Sequence, residues 1–160
     1  MTQDATFEDG AEKPLALVAR DADDLKVIAS LTQDAVLPIT EMRWQADKRR
    51  FALLLNRFRW EDRDAATKRG RDFERVQSVL LFEDVMGVQS NGIDRRDTDM
   101  VLSLLDITWE PADDGMGRLL LTLAGDAELA LQVEALEVQL KDVTRPYIAP
   151  SKLVPSHPED

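Results

Sequence analysis

The sequence predicts an α+β domain: a mainly antiparallel, twisted sheet of about six to seven strands, with a helix in the N-terminal half and a C-terminal helix. Three observations predict it. Apolar residues that alternate, or that fill both parities of a short run, recur from Ile39 to Val133. Turn-forming strings such as Ser90-Asn91-Gly92 and PADDGMG separate those runs. Helical spacing, by contrast, is confined to a stretch before Pro38 and a stretch after Val133.

In chain order, residues 1–13 hold four acids and little to bury, which predicts a disordered acidic leader. Leu15–Ala19 is a short apolar run suited to an edge strand. Asp21 is an N-cap candidate, and Asp23 and Asp24 place negative charge where the helix macrodipole favours it. Leu25, Ile28, Leu31 and Ala35 then recur at helical spacing, which predicts a helix over Ala22–Val36 that ends before Pro38.

Ile39–Trp60 reads as a long hairpin: Ile39–Ala46 out, Asp47-Lys48-Arg49 as the turn, Arg50–Trp60 back. On the outgoing strand Met42 and Trp44 share one face, and Glu41, Arg43 and Gln45 the other. On the return strand Phe51, Leu53 and Leu55 have one parity while Phe58 and Trp60 have the opposite one. A bulge near Asn56 would reconcile the two sets and point Arg57 and Arg59 to solvent; without it, both faces are partly covered.

Glu61–Asp72 is polar and reads as a mobile loop. Phe73–Val88, Met100–Trp109, Leu119–Leu123 and Glu128–Val133 are the further strands. Leu136, Leu140 and Val143 fit a C-terminal helix over about Glu134–Asp142, although Leu136, Val138 and Leu140 also alternate as a bulged strand would. Four prolines from Pro146 onward predict an extended or disordered tail over 146–160, leaving a single domain over 14–145. Hairpin-linked strands followed by a terminal helix also suit a curled sheet of pleckstrin-homology type.

Composition narrows the chemistry. The chain has no cysteine, which excludes disulfides, thiolate metal sites and cysteine nucleophiles. Its one histidine, His157, lies in the proline-rich tail, where nothing predicts the fixed geometry a general base needs. No phosphate-loop, dinucleotide-binding or nucleophile-elbow string occurs. Asp94, Asp97 and Asp99 lack the spacing and central glycine of a calcium loop. Neither cofactor nor metal is expected. Glu83, Asp84 and Asp106, set within apolar strands, are the carboxylates that could do acid–base work if they met in space. No apolar run reaches the length of a membrane span, and no secretory signal opens the chain, so a cytoplasmic location is expected.

Charge is the feature with functional lean. The net charge of −11 argues against nucleic acid and anionic membranes as general partners. Yet Arg43–Arg75 holds eleven cations against six acids, so one basic insert interrupts an acidic chain. Arg43, Arg49, Arg50, Arg57 and Arg59, with Trp44 and Trp60 close by and Lys68, Arg69 and Arg71 following, would form an anion- or partner-binding edge. Guanidinium forks suit carboxylates and phosphates, and tryptophan offers a stacking face. The expectation is a non-enzymatic interaction module that presents this edge to an acidic protein partner or to its own copy. A carboxylate/arginine enzyme or a weak nucleic-acid binder is the alternative.

Three strings add a resemblance: NRFRWED (Asn56–Asp62), SVLLFEDVMGVQSNGID (Ser78–Asp94) and LTLAGDAELALQVEALEVQLKDV (Leu121–Val143). In these the chain resembles a small alphaproteobacterial family defined as a domain of unknown function. The resemblance spans about residues 14–146. It implies one domain and a cytoplasmic bacterial protein, and it implies no activity, cofactor or site residue.

Overall fold

The structure, a computed structural model, describes residues 14–70, 74–144 and 147–148. The leader predicted over 1–13 and most of the tail over 146–160 lie outside the described residues. The strands are β1 (Ala16–Ala19), β2 (Ala35–Pro38), β3 (Met42–Gln45), β4 (Arg50–Phe58), β5 (Glu74–Phe82) and β6 (Val85–Asn91). They continue with β7 (Val101–Pro111), β8 (Gly117–Leu123), β9 (Ala127–Val133), β10 (Val138–Asp142) and β11 (Tyr147–Ile148). The α-helices are α1 (Ala22–Leu31) and α2 (Arg63–Arg69).

All eleven strands belong to one antiparallel sheet, against the six or seven the sequence predicts. Three physical reasons account for the difference. β2 and β11, of four and two residues, are shorter than a periodicity window resolves, whereas β1 and β3 fall inside runs the sequence reads as strands. The run Phe73–Val88 is two strands, because Asp84 takes a left-handed conformation (φ 56°) and breaks the ladder. Finally, Val138–Asp142 is a strand where a C-terminal helix is predicted: it pairs with β5 on one side and β1 on the other. No C-terminal helix follows among the described residues, so the pleckstrin-homology comparison goes with it. Tyr147–Ile148 also pairs with β5, which carries the sheet past residue 145.

The hydrogen-bonded order β1-β10-β5-β4-β2-β7-β8-β9-β6 curls back on itself through the β5–β6 connection, with β1 and β6 as the ends of the path. β5 and β6 follow one another across the break at Glu83-Asp84, and their partners are β10 and β9 respectively. From β9 the pairing goes through β8, β7 and β2 to β4, and β4 pairs back to β5. The β2–β4 link rests on a single pair, Val36↔Asn56. The curl removes most free edges, and side chains of one parity fill the interior. That inward set includes Phe51, Leu53 and Leu55 on β4, Leu80 and Phe82 on β5, Leu119, Leu121 and Leu123 on β8, and Leu129, Leu131 and Val133 on β9, all buried.

α1 starts as the sequence reads. The Asp21 carboxylate accepts a hydrogen bond from Asp24 N at 2.8 Å, and Leu25, Ile28 and Ala29 are buried against β1 and β7. It stops earlier than predicted. The Thr32 hydroxyl donates to Ile28 O (2.9 Å), Asp34 turns left-handed (φ 66°), and Ala35 and Val36 enter β2 instead of continuing the helix. Glu61–Asp72, predicted as a loop, contains a 3-10 turn at Trp60–Asp62 and then α2, which Gly70 caps at φ 66°.

Candidate functional site

β4 pairs with β5 in unbroken register from Phe51↔Phe82 to Phe58↔Arg75, so of the two alternatives at Asn56 the strand without a bulge is the one formed. The consequence falls on Arg57. It follows Phe51, Leu53 and Leu55 on the inward parity and is fully buried, at 0% exposure. Ser78 on β5 and Asp142 on β10 extend their own inward rows to the same level, so the interior turns polar at one end.

The Arg57 guanidinium there grips Glu61 with two parallel bonds of 2.8 Å and Asp142 at 3.0 and 3.2 Å; its Nε–H reaches the Ser78 hydroxyl at 3.0 Å. Ser78 donates to Asp142 at 2.6 Å, and Leu15 N donates to the other Asp142 oxygen at 2.9 Å. The network ties β4, β5, β10, the 3-10 turn and Leu15, the residue that leads into β1. Burial works to raise the Glu61 carboxyl, but the hydrogen bonds and charge of Arg57 prevail and hold it below the usual carboxylate range. The two carboxylates likewise outweigh the burial that would lower Arg57, and its pKa is raised.

The rest of the basic insert does not gather into one open face. Arg59 is buried and pairs with Glu74. Arg49, at the β3–β4 turn, pairs with Glu134, and Arg50 with Glu83 at 3.0 Å. Trp60 donates its indole N–H to Gln33 O (2.9 Å) and packs on Phe58 with ring centroids 4.7 Å apart, which docks the 3-10 turn beside the end of α1. Lys68 is exposed on α2; the Arg69 side chain and Arg71 lie outside the described residues. Arg43 is exposed and, among the described residues, touches no carboxylate.

Trp44 is different. It is 38% exposed and lines a cleft of about 290 Å³. Met42 and Trp44, on one face of β3, form one wall with Ile39 and Thr40; Val88 and Ser90 of β6 form the other. Buried Phe51 and Leu129 make the floor. The following loop closes the rim with Ile93, Arg95 and Thr98. No carboxylate lines this cleft, and Arg95 has no ionic partner among the described residues. Its walls are thus the facing edges of β3 and β6, with apolar depth, hydroxyls and one guanidinium.

Sequence reasoning found Trp44 and its shared face with Met42 but missed Val88, Ser90, Ile93 and Arg95. The available signal was the seven-residue run VMGVQSN, which is β6 and holds no charged residue. A second groove of about 490 Å³ runs between α1 and β7 and is lined by Lys26, Asp106, Thr108 and Trp109 among others.

The three carboxylates considered for acid–base work do not converge. Glu83 pairs with Arg50, Asp84 occupies the left-handed break after β5, and the Asp106 carboxylate accepts from its neighbour Ile107 N at 2.8 Å. Neither cavity is lined by more than one of them.

No helix among the described residues is long and apolar enough to cross a membrane. No curated protein and no solved structure matches the chain. Residues 15–157 match the family described as protein of unknown function DUF2948, and the chain belongs to that family.

Proposed function

We propose that the protein is a non-enzymatic interaction module that holds an acidic protein partner at the β3 edge, with Trp44 and the cleft behind it as the anchor. The observation that carries this reading is an apolar, carboxylate-free cleft, rimmed by Arg95 and flanked by an exposed tryptophan, in a chain of net charge −11. An acidic body repels anions generally, so a spot free of carboxylates that holds a guanidinium is where an acidic segment loses least by approaching. Aromatic and arginine side chains beside a small apolar depression are also the groups that dominate interface energetics. Arg49, Arg50, Arg57 and Arg59 contribute little, because Glu134, Glu83, Glu61, Asp142 and Glu74 already engage them.

The test uses a fluorescein-labelled, acetylated heptapeptide that alternates glutamate and leucine, titrated by anisotropy against the full chain. Trp44→Ala and Arg95→Glu are each expected to weaken binding about tenfold or more, a loss of roughly 1.4 kcal/mol. Lys68→Glu, on α2 and outside the cleft, should leave affinity unchanged. No binding by the wild type, or equal binding by all four proteins, overturns the proposal.

A further inference from the structure

We infer that the partner segment binds as an added β-strand on the free edge of β6, sending an apolar side chain into the cleft and a carboxylate to Arg95. This rests on the interaction reading and specifies the conformation and chemistry of its partner.

β6 ends the ladder: it pairs with β9, and among the described residues no third strand covers its other side. Free edges in soluble proteins are ordinarily blunted by charge, proline or bulges. β6 reads VMGVQSN and has neither charge nor proline. Its one irregularity lies between Val85 and Gly87, and from Val88 to Asn91 the pairing with β9 is regular. In an antiparallel ladder alternate residues direct their N–H and C=O away from the paired strand, so Val88–Asn91 offers outward backbone bonds at every second position.

The cleft lies along this edge, and its two strand walls contribute side chains at matching period: Val88 and Ser90 facing Met42 and Trp44. An incoming strand therefore meets main-chain donors and acceptors at one spacing and an apolar recess at the same spacing. The recess favours an apolar residue. With no acid in its lining and Arg95 at the rim, it favours glutamate or aspartate beside that residue. The occupant is an extended segment in which acidic and apolar residues alternate.

The experiment compares three versions of the glutamate–leucine heptapeptide on the full chain: unmodified, N-methylated at the leucines, and N-methylated at the glutamates. Hydrogen exchange of the chain is followed with each. Strand addition uses N–H groups of one parity, so one methylated peptide should bind at least about tenfold more weakly and the other nearly as well as the unmodified one. Amide exchange at Val88–Asn91 should slow on binding.

Equal affinities for the three peptides, loss with both methylated forms, or unchanged exchange in β6 overturns strand addition while Trp44- and Arg95-dependent binding still supports the module. Absence of binding by the unmodified peptide overturns the module itself. A free chain that is already dimeric with Val88–Asn91 protected assigns the edge to a second copy and also overturns the inference.

Discussion

Arg57 occupies the position on β4 where a fourth apolar residue would continue Phe51, Leu53 and Leu55. Removing a guanidinium from water costs several kcal/mol, and the charge is tolerated only because two carboxylates and a hydroxyl surround it in good geometry. Arg57→Met leaves Asp142, 3% exposed, without its counter-ion, and should destabilise the fold by about 3–5 kcal/mol in urea unfolding. Arg57→Lys should also destabilise, since one ammonium cannot bridge Glu61 and Asp142 bidentately. Combining Arg57→Met with Asp142→Leu should recover most of the loss, because the buried charge is then removed with its partner.

Glu61 gives a pH signature. Its carboxyl is held below its unfolded value, so its contribution is present above the ordinary carboxylate range and is lost as pH falls through the depressed folded value. Glu61→Gln should flatten the acid limb of stability against pH and lower stability at neutral pH. A limb as steep as that of the wild type would contradict the assignment.

The sequence could not place this residue. An arginine is so rarely buried that Phe58 and Trp60 were the more natural core pair, and choosing them demanded a bulge that the β4–β5 register lacks.

Among the elements, α1 began legibly and ended illegibly. Asp21, Asp23 and Asp24 are local signals for a start, whereas Ala35 and Val36 keep the helical spacing although they pair with Ser103 and Leu104 of β7. Val138–Asp142 was likewise ambiguous, because its apolar residues satisfy both periods and only pairing with β5 and β1 selects the strand. Asp21→Ala should cost about 1 kcal/mol by thermal or urea melting, the usual loss of an N-cap.

A sharper test of strand packing is Gly117, which opens β8 opposite Pro111. A Cβ there would lie 2.4 Å from the Trp109 ring and 2.6 Å from Glu110 O. Gly117→Ala should therefore destabilise by about 1–3 kcal/mol, as overpacking against backbone does. Unchanged stability would show that the β7–β8 corner yields.

At the scale of the whole molecule, the charge asymmetry visible in the sequence is largely internal to the fold. The arginines between Arg49 and Arg59 meet acids from distant parts of the chain, Glu74, Glu83, Glu134 and Asp142. Composition counts the cations, but only the curl of the sheet brings those acids to them. The same curl leaves β3 and β6 as facing edges, a juxtaposition between residues that are far apart in sequence and share no motif.

Trp44, legible from the start as part of a candidate edge, acquires its meaning from Val88, Ser90 and Arg95 across the cleft. The most direct measurement is the amide spectrum of the full chain titrated with the glutamate–leucine heptapeptide. Strand addition at β6 requires shifts concentrated in Met42–Gln45, Val88–Asn91 and Ile93–Thr98. Shifts centred on the groove between α1 and β7, or spread over Arg49, Arg50 and Lys68 with β6 silent, would contradict it.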